Sequence, residues 1–476
     1  MKPSEHTIPM QVSPTLAEIA AWALRLRQLH QHLAPLFARP EVHQHALLYL
    51  QAILSDIPRK NGWQIAEHAR EPRPYGMQRL LSRAVWDQDG VRDALRRLVY
   101  QTLVPAGTCA QATSDPLFPV LVLDESGLPK RGHHSAGVAP QYCGSSGRVE
   151  NCQVGVFASL VSALGHGLID RELYVPEDWC CDLVRRRAAH IPDALTFATK
   201  PELAQRMVHR AQQAGLPFRW VVADTVYGHS PDLRAFLEAH DDAYALAVPS
   251  PEVVCVHTPT GPLLSSVADL AQRALRPKDW QRLSCGQGTK GPRFFDWARL
   301  PVLQGGTVDG RHWLVVRRCL GDPTELAYYL VWAPPDTSLP LMVLAIGARW
   351  HIEEDLQTNK DVGADQYEVR SYLGWYRHLT LVLLACAFLL SICVQDHAHP
   401  PRSAAAPACP APPPPAGLFA CPSLIPLTSS EVRHLLAHLL WPAPTSAPLL
   451  VQWSLFRRAH QSWAGHYHRR RREKAG

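Results

Sequence analysis

Residues 119–127 read PVLVLDESG and residues 219–224 read RWVVAD. Each is an apolar run of strand length that ends in an acidic residue, Asp124 in the first and Asp224 in the second. Between them, NCQVGVFASLVS (151–162) and GLIDRELYVP (167–176) are separated by a turn containing Gly165 and read as a hairpin. A helix is expected to start at Thr199, because Thr199 and Glu202 have capping-box spacing with Pro201 in the first turn, and to stop near Gly215. Ser230 and Pro231 open another helix, and AYALAVP (243–249) is a further strand. The order is therefore three strands, helix, strand, helix, strand.

That order is the one of a ribonuclease-H-like α/β core, in which the ends of the first and fourth strands come to lie side by side. From about 250 to 342 the pattern is interrupted by glycine-rich turns and strand-like pieces such as HWLVVRR (312–318) and LAYYLVWAP (326–334), which predict a β-rich insertion. Residues 347–360, GARWHIEEDLQTNK, then read as a helix and carry a third acid, Glu353. An apolar run from Leu379 to Val394 closes the core. It is shorter than the roughly 20 residues of a membrane span and is expected to be a buried helix.

Ahead of the core, residues 1–112 predict an all-α domain. Ser13 and Pro14 signal one helix start, a second helix follows Pro40, and NGWQIAEHAREPRPYGMQRLLSRAVW (61–86) splits at its prolines into two short helices. This pair has the form of a helix-turn-helix that would present Tyr75, Gln78, Arg79, Ser82 and Arg83 to DNA; the residues of this segment alone favour a plain bundle with arginines on its wet face. The remaining boundaries are 113–395 for the catalytic core with its insertion, 396–426 for a linker, and 427–476 for a short helix capped by Thr428 and Glu431 followed by a basic tail. Residues 400–415 hold eight prolines in sixteen positions, which is linker composition.

The formal net charge is +6, and residues 457–476 alone contain seven Arg or Lys against one Glu. Such an end suits a polyanion, since each cation that neutralises a phosphate releases a counterion. The twelve cysteines contain no CxxC pair and the 24 histidines no HExxH, so a zinc site is not expected and reduced thiols in a cytoplasmic protein are the default. Met1 to Thr15 lacks the basic start and apolar run of a signal peptide.

Asp124, Asp224 and Glu353 form the constellation that carries chemistry. Singly, an Asp after a strand is a common turn or cap residue and a Glu on a helix is commonly solvated. Together, buried carboxylates repel one another and are neutralised best by divalent cations; hard oxygen donors favour Mg²⁺, with Mn²⁺ as a substitute. Two such ions could bind the attacking and leaving oxygens of a phosphodiester in line.

RWHIEEDLQTNK (349–360) resembles the signature of insertion-sequence DDE transposases, with three residues between arginine and glutamate and six between glutamate and lysine. Arg349, Glu353 and Lys360 fit that spacing, which selects Glu353 over Glu354; where the signature has a tyrosine three positions before the arginine, this chain has Ile346. DESGLPKRGHHSAGVAPQYCGSSGRVENCQVGVF (124–157), DTVYG (224–228), DPTELAYYL (322–330) and DQYEVRSYLGWYRHLTL (365–381) are similar to the branch of these families numbered 701. The resemblance implies a ribonuclease-H-like fold, two Mg²⁺ ions held by Asp124, Asp224 and Glu353, cleavage at transposon ends to free 3′-hydroxyls, and their joining to target DNA. It further implies a homodimer or higher oligomer on paired DNA ends, residence on the nucleoid when DNA is bound, no membrane, and phosphate contacts from Arg349 and Lys360.

Lys130, Arg131 and Arg148, in a glycine-containing stretch, could follow a DNA backbone or simply form a basic surface loop. Trp375 and Tyr376 could stack on a base, although aromatics entering an apolar helix are more often core. Two other functions stay open: a nuclease of the same fold that cleaves without joining, and a transposase-derived DNA-binding regulator without catalysis, against which the intact Asp124, Asp224 and Glu353 argue, because a binding role alone places no demand on all three. Deleting residues 466–476 should reduce the slope of log affinity against log salt by about 0.9 per lost phosphate contact, equally for specific and random duplexes. A gel-shift salt series checks this, and a loss confined to the specific duplex would mean that the tail reads sequence.

Overall fold

A computed structural model describes residues 14–105, 119–144, 146–259, 261–288, 291–398, 426–442 and 446–475. The proline-rich stretch at 400–415 and most of the expected linker lie outside the described residues. The chain divides into two compact units, one formed by residues 1–80 with 388–476 and the other by residues 81–387.

The larger unit is built on one mixed sheet. β1 (Val120–Pro129), β3 (Arg148–Ser162) and β4 (Gly165–Tyr174) are antiparallel neighbours, while β1, β5 (Trp220–Ala223) and β6 (Tyr244–Val248) run parallel. Leaving out β2 (Ala139–Cys143), which pairs with the first residues of β3 on the edge that β4 continues, the spatial order β4-β3-β1-β5-β6 is that of a ribonuclease-H-like core, as the element order predicts. β1, β3 and β5 are apolar runs because they lie in the middle of the sheet; all four residues of β5 are buried.

The β-rich insertion is real, and most of it extends the core sheet. β7 (Val253–Thr258) and β8 (Gly261–Ser266) form a separate hairpin. β12 (Leu326–Trp332) pairs with β6, and β11 (His312–Arg318), β10 (Gly291–Pro301) and β9 (Gln281–Gly288) continue outward. Two helices follow, Leu339–Ala348 and Trp350–Asp361, with Arg349 between them still in the helical region of backbone space.

Helices pack on this sheet through apolar faces and one buried ionic knot. The Lys200–Gln213 helix starts at Thr199 with the expected capping box and buries Leu203, Ala204, Met207, Val208 and Ala211. Asp170 on β4, 1% exposed, accepts from Arg96 Nη2 at 3.1 Å and Arg210 Nε at 2.9 Å. Burial alone would raise its pKa, but the surrounding guanidinium groups of Arg210, Arg171 and Arg92 hold it below the usual carboxylate value. Such a knot is costly to break on one side, because the partners would be left charged and unpaired.

The long Tyr372–Ala398 helix contains the apolar run and begins seven residues earlier than that run. Among the described residues it is the one helix long and apolar enough to cross a membrane, and it lies mostly buried within protein. Trp375 is fully buried and the Tyr376 hydroxyl donates to Glu172 at 2.6 Å, so these aromatics belong to the core rather than to a base-stacking surface.

In the smaller unit, the Leu16–His32 helix is capped by Thr15, whose partner is Glu18; the expected start signal at Ser13 lies outside the described residues. The Gly62–His68 and Tyr75–Ser82 helices are the expected turn-linked pair. The basic end is not a loose tail: residues Ala447–Ala475 are helical, Trp453 is fully buried with its indole N–H donating to Glu71 O at 3.1 Å, and Arg457 pairs with Glu67 at 2.6 Å. Trp63 lies 5.2 Å from Phe456 and 4.8 Å from His460, ring to ring. The apolar positions at 453 and 456 are the amphipathic signal that the run of arginines masks in the sequence.

Gly347 fixes the approach of the Leu339–Ala348 helix to β9, since an added Cβ would overlap the Cys285 carbonyl oxygen and lie 2.7 Å from its carbon. Gly347→Ala should therefore destabilise the protein by about 1–3 kcal/mol, the usual cost of overpacking. The measurement is the midpoint of urea unfolding, which should fall without a change in slope.

Candidate active site

Because β1 and β5 are parallel and in register up to Leu123 opposite Ala223, the next residue of each, Asp124 and Asp224, leaves the paired region at the same sheet end. Asp124 Oδ1 accepts from the Glu125 N–H at 2.8 Å. Asp224 caps the short Thr225–Gly228 helix, accepting from the Val226 N–H at 2.9 Å. Carboxylate oxygens of Asp124, Asp224 and Glu125 all lie within 4.8 Å of one another.

Glu125 escaped the sequence reading, because adjacent strand positions are expected to face opposite sides. Its carboxylate is tied down by Lys200 Nζ at 2.7 Å and by the Tyr227 hydroxyl at 2.7 Å. Tyr227 belongs to the DTVYG segment, and the neighbouring Gly228 packs so closely on β6 that a Cβ there would overlap the Ala247 carbonyl.

Glu353 reaches this group through Arg349. The guanidinium donates from Nη1 to Asp124 Oδ2 at 3.0 Å and from Nη2 to Glu353 Oε1 at 2.6 Å. Glu354, the next residue, turns to His166, 3.1 Å away. The helix thus sends its two glutamates to different neighbours, with Glu353 on the side of Asp124. Arg349, expected to meet a phosphate, here has both arms of its fork on carboxylates, and Lys360 is half-buried in the last turn of the same helix.

The electrostatics record a shortage of positive charge. Burial pushes the Asp124 carboxyl up to about 7; Arg349 opposes this, and Asp224 and Glu125 add to it. Asp224 is raised as well, by burial and by Glu125. Burial works against the Arg349 cation, yet Asp124 and Glu353 outweigh it and hold its pKa above the ordinary value. Asp124, Glu125, Asp224 and Glu353 thus face Arg349 and Lys200, four carboxylates against two cations. The clustered donors are oxygens only, and among the described residues no cysteine or histidine joins their group. This donor set fits a hard divalent cation.

The remaining expected contacts are placed as follows. Arg79 and Arg83 are exposed, as are Arg131 and Arg148. Lys130 is not an open cation: its ammonium donates to the carbonyls of Asp365 and Tyr367, each at 3.1 Å, and sits 3.8 Å from the Tyr367 ring centroid. Burial pushes its pKa down to about 8. That commitment to the interior corrects the expectation of a DNA contact from Lys130. The stretch between Lys130 and Arg148 is also only partly a loop, since β2 lies within it.

β1 runs on past Asp124 to Pro129, so the first acid lies within its strand, level with Asp224 where the parallel pairing with β5 stops; such a ribonuclease-H-like sheet, with a third acid on the helix after an insertion, defines a DDE-type nuclease architecture. The chain belongs to the DDE superfamily endonucleases, whose family profile matches residues 32–292. The matched span contains Asp124 and Asp224 and ends before Glu353. A relative named probable transposase for insertion sequence element IS701, from Microchaete diplosiphon, is 23% identical over 344 residues, covering 70% of this chain and 79% of that protein. A cryo-EM structure of a piggyBac transposase synaptic complex with hairpin DNA aligns at a TM-score of 0.43 and 12% identity, over 93% of this chain and 87% of that one.

The raised Asp124 carboxyl makes stability depend on pH. Its folded pKa, about 7, exceeds the ordinary aspartate value of about 4, so its contribution is complete below about pH 4 and is lost as pH rises through 7. The loss is about 4 kcal/mol at most, at 1.36 kcal/mol per unit. In chelator, this contribution should lower Tm as the pH is raised from 4 to 8, and Asp124→Asn should flatten the decline. Added Mg²⁺ should raise Tm most at the alkaline end for the unsubstituted protein and little for the variant; thermal melts across pH check both.

Proposed function

We propose that this protein is a DNA transposase that binds the ends of its element, cleaves phosphodiester bonds there and joins the freed 3′-hydroxyls to target DNA. The observation that carries the reading is the convergence of Asp124 and Asp224 at one sheet end with Glu353 one guanidinium away, in a chain of the DDE superfamily endonucleases. Asp124, Asp224 and Glu353 would hold Mg²⁺, two ions in the full site. When bound, the metal would supply Lewis-acid stabilisation of the phosphate and a water or hydroxyl of lowered pKa as nucleophile.

The protein's own residues do the rest. Lys200 and Tyr227 hold Glu125 away from free rotation and so fix the wall beside Asp124. Arg349 compensates the carboxylates of Asp124 and Glu353, and its fork has the bidentate geometry that suits a DNA phosphate. Lys360, near the end of the same helix, is a second phosphate contact. In cleavage, water attacks the phosphorus, the bond to the 3′-oxygen breaks, and that oxygen leaves as the 3′-hydroxyl. In joining, the 3′-hydroxyl attacks a target phosphodiester and displaces its 3′-oxygen, so no external energy source is needed.

The helical segment at 1–112 is proposed to bind element ends through Arg79 and Arg83, with Arg131, Arg148 and the basic C-terminal helix adding phosphate contacts. Two or more copies would assemble across paired ends on the nucleoid.

The test is Mg²⁺-dependent cleavage and joining of labelled duplexes carrying the terminal repeats that flank the gene. Asp124→Asn, Asp224→Asn and Glu353→Gln should each reduce both steps by at least about 10³-fold at matched DNA occupancy, since loss of one such electrostatic contact costs about 10²–10³ and these hold the ions themselves. End binding should survive, because it depends on phosphate and groove contacts elsewhere. Full activity in either aspartate variant contradicts the metal-site assignment, and intact cleavage of element ends with no joined product from precut ends would instead identify a nuclease.

A further inference from the structure

On the far side of the Trp350–Asp361 helix from Asp124, His351 and Glu354 stand one turn apart and meet His166, which lies just beyond the Gly165 turn that joins β3 to β4. His166 Nε2 is 3.1 Å from Glu354 Oε2, and His351 Nδ1 is 3.7 Å from the same oxygen. The three residues offer ligand atoms all within 4.8 Å of one another. For a tetrahedral ion with bonds of about 2.0–2.2 Å, donor atoms are about 3.3–3.6 Å apart, so the cluster needs only small shifts to close on one.

Two further features point to a ligand. The other nitrogen of His166, Nδ1, lies 2.9 Å from Asp355 Oδ1, and the second oxygen of Asp355 accepts from the Ser159 hydroxyl. A carboxylate that accepts from the Nδ1–H orients the ring so that Nε2 is the nitrogen left to bind a metal in place of its proton, as metal-bound histidines are commonly oriented. On the opposing side, His351 Nδ1 is buried with no hydrogen-bond partner, 3.7 Å from Glu354 being too long for one. The His351 ring stacks on His166 at 4.7 Å between centroids. An ion pair between His166 and the two acids accounts for the first histidine, whereas His351 contributes only its stacked ring and a 3.7 Å approach to Glu354.

We propose that His166, His351 and Glu354 form a site for a borderline transition-metal ion, Zn²⁺ by its ligand chemistry, separate from the carboxylate site. Two imidazoles and one carboxylate suit zinc, whereas magnesium prefers oxygen donors. The ion would staple the β3–β4 hairpin to the helix that carries Glu353, and water would complete its coordination. The sequence reading missed it because His166 is remote in the chain and His351-x-x-Glu354 is no recognised zinc spacing.

Asp56, His434 and His438 form another group with ligand spacing, but all three are exposed, so the test must separate the two. The full chain is stripped with chelator, returned to excess Mg²⁺, and titrated with Zn²⁺ or Co²⁺. The expected result is one tightly held Zn²⁺ that His434→Ala does not remove, visible absorption of tetrahedral Co²⁺, and a rise in Tm on loading. His351→Ala, which breaks no hydrogen bond, should fold normally and abolish the Co²⁺ spectrum and the Tm rise. Asp355→Asn should weaken binding by about 10–100-fold. Absence of bound Zn²⁺ in the unsubstituted protein, or undiminished binding in both His351→Ala and His166→Ala, overturns the proposal.

Discussion

Parallel pairing of β1 with β5 is the constraint on which the site rests. Parallel strands in register place equivalent ends together, so two aspartates separated by a hundred positions emerge side by side wherever the apolar runs before them pair residue for residue. The apolar runs are long enough to bury and the hairpin β3–β4 covers the other edge of β1, which leaves no alternative register that keeps both faces dry. Slipping β5 by one residue would move Asp224 along the sheet and turn its side chain to the opposite face.

This pairing concentrates negative charge, and the fold answers with few cations. Arg349 spans Asp124 and Glu353, and Lys200 with Tyr227 holds Glu125; together they leave the cluster short of positive charge and the Asp124 carboxyl raised to about 7. The buried knot at Asp170 is the contrasting case, where several guanidinium groups overwhelm burial and keep the acid ionised. A saturated knot holds elements together, whereas an undersatisfied cluster is poised for an additional cation, and the difference lies in the count of partners rather than in depth.

Much of this was legible in the sequence because the signals were local. The apolar runs ending in Asp124 and Asp224, the Thr199–Glu202 capping box and the Gly165 turn each specify an element within a few residues. Spacing between Arg349, Glu353 and Lys360 selected one glutamate of an adjacent pair, and the two glutamates do face different partners. What was not legible depends on the fold. Glu125 joins the cluster only because Lys200 and Tyr227 come from other elements to hold it, Lys130 turns inward to carbonyls at 365 and 367, and the insertion extends the core sheet through β12 beside β6. The helical C-terminal end was hidden for a different reason: its charge run draws attention away from Trp453, whose burial requires a surface supplied by residues near the other end of the chain.

A hard divalent cation bound by Asp124 with Asp224 and Glu353 is proposed to drive phosphodiester cleavage. Replacing one hard ligand by a soft one tests it most directly, because thiolate binds magnesium poorly and manganese better. Cleavage of a labelled element end by Asp124→Cys should be lost in Mg²⁺ and at least partly restored in Mn²⁺, while the unsubstituted protein works with both ions. Undiminished cleavage by Asp124→Cys in Mg²⁺ would contradict the account.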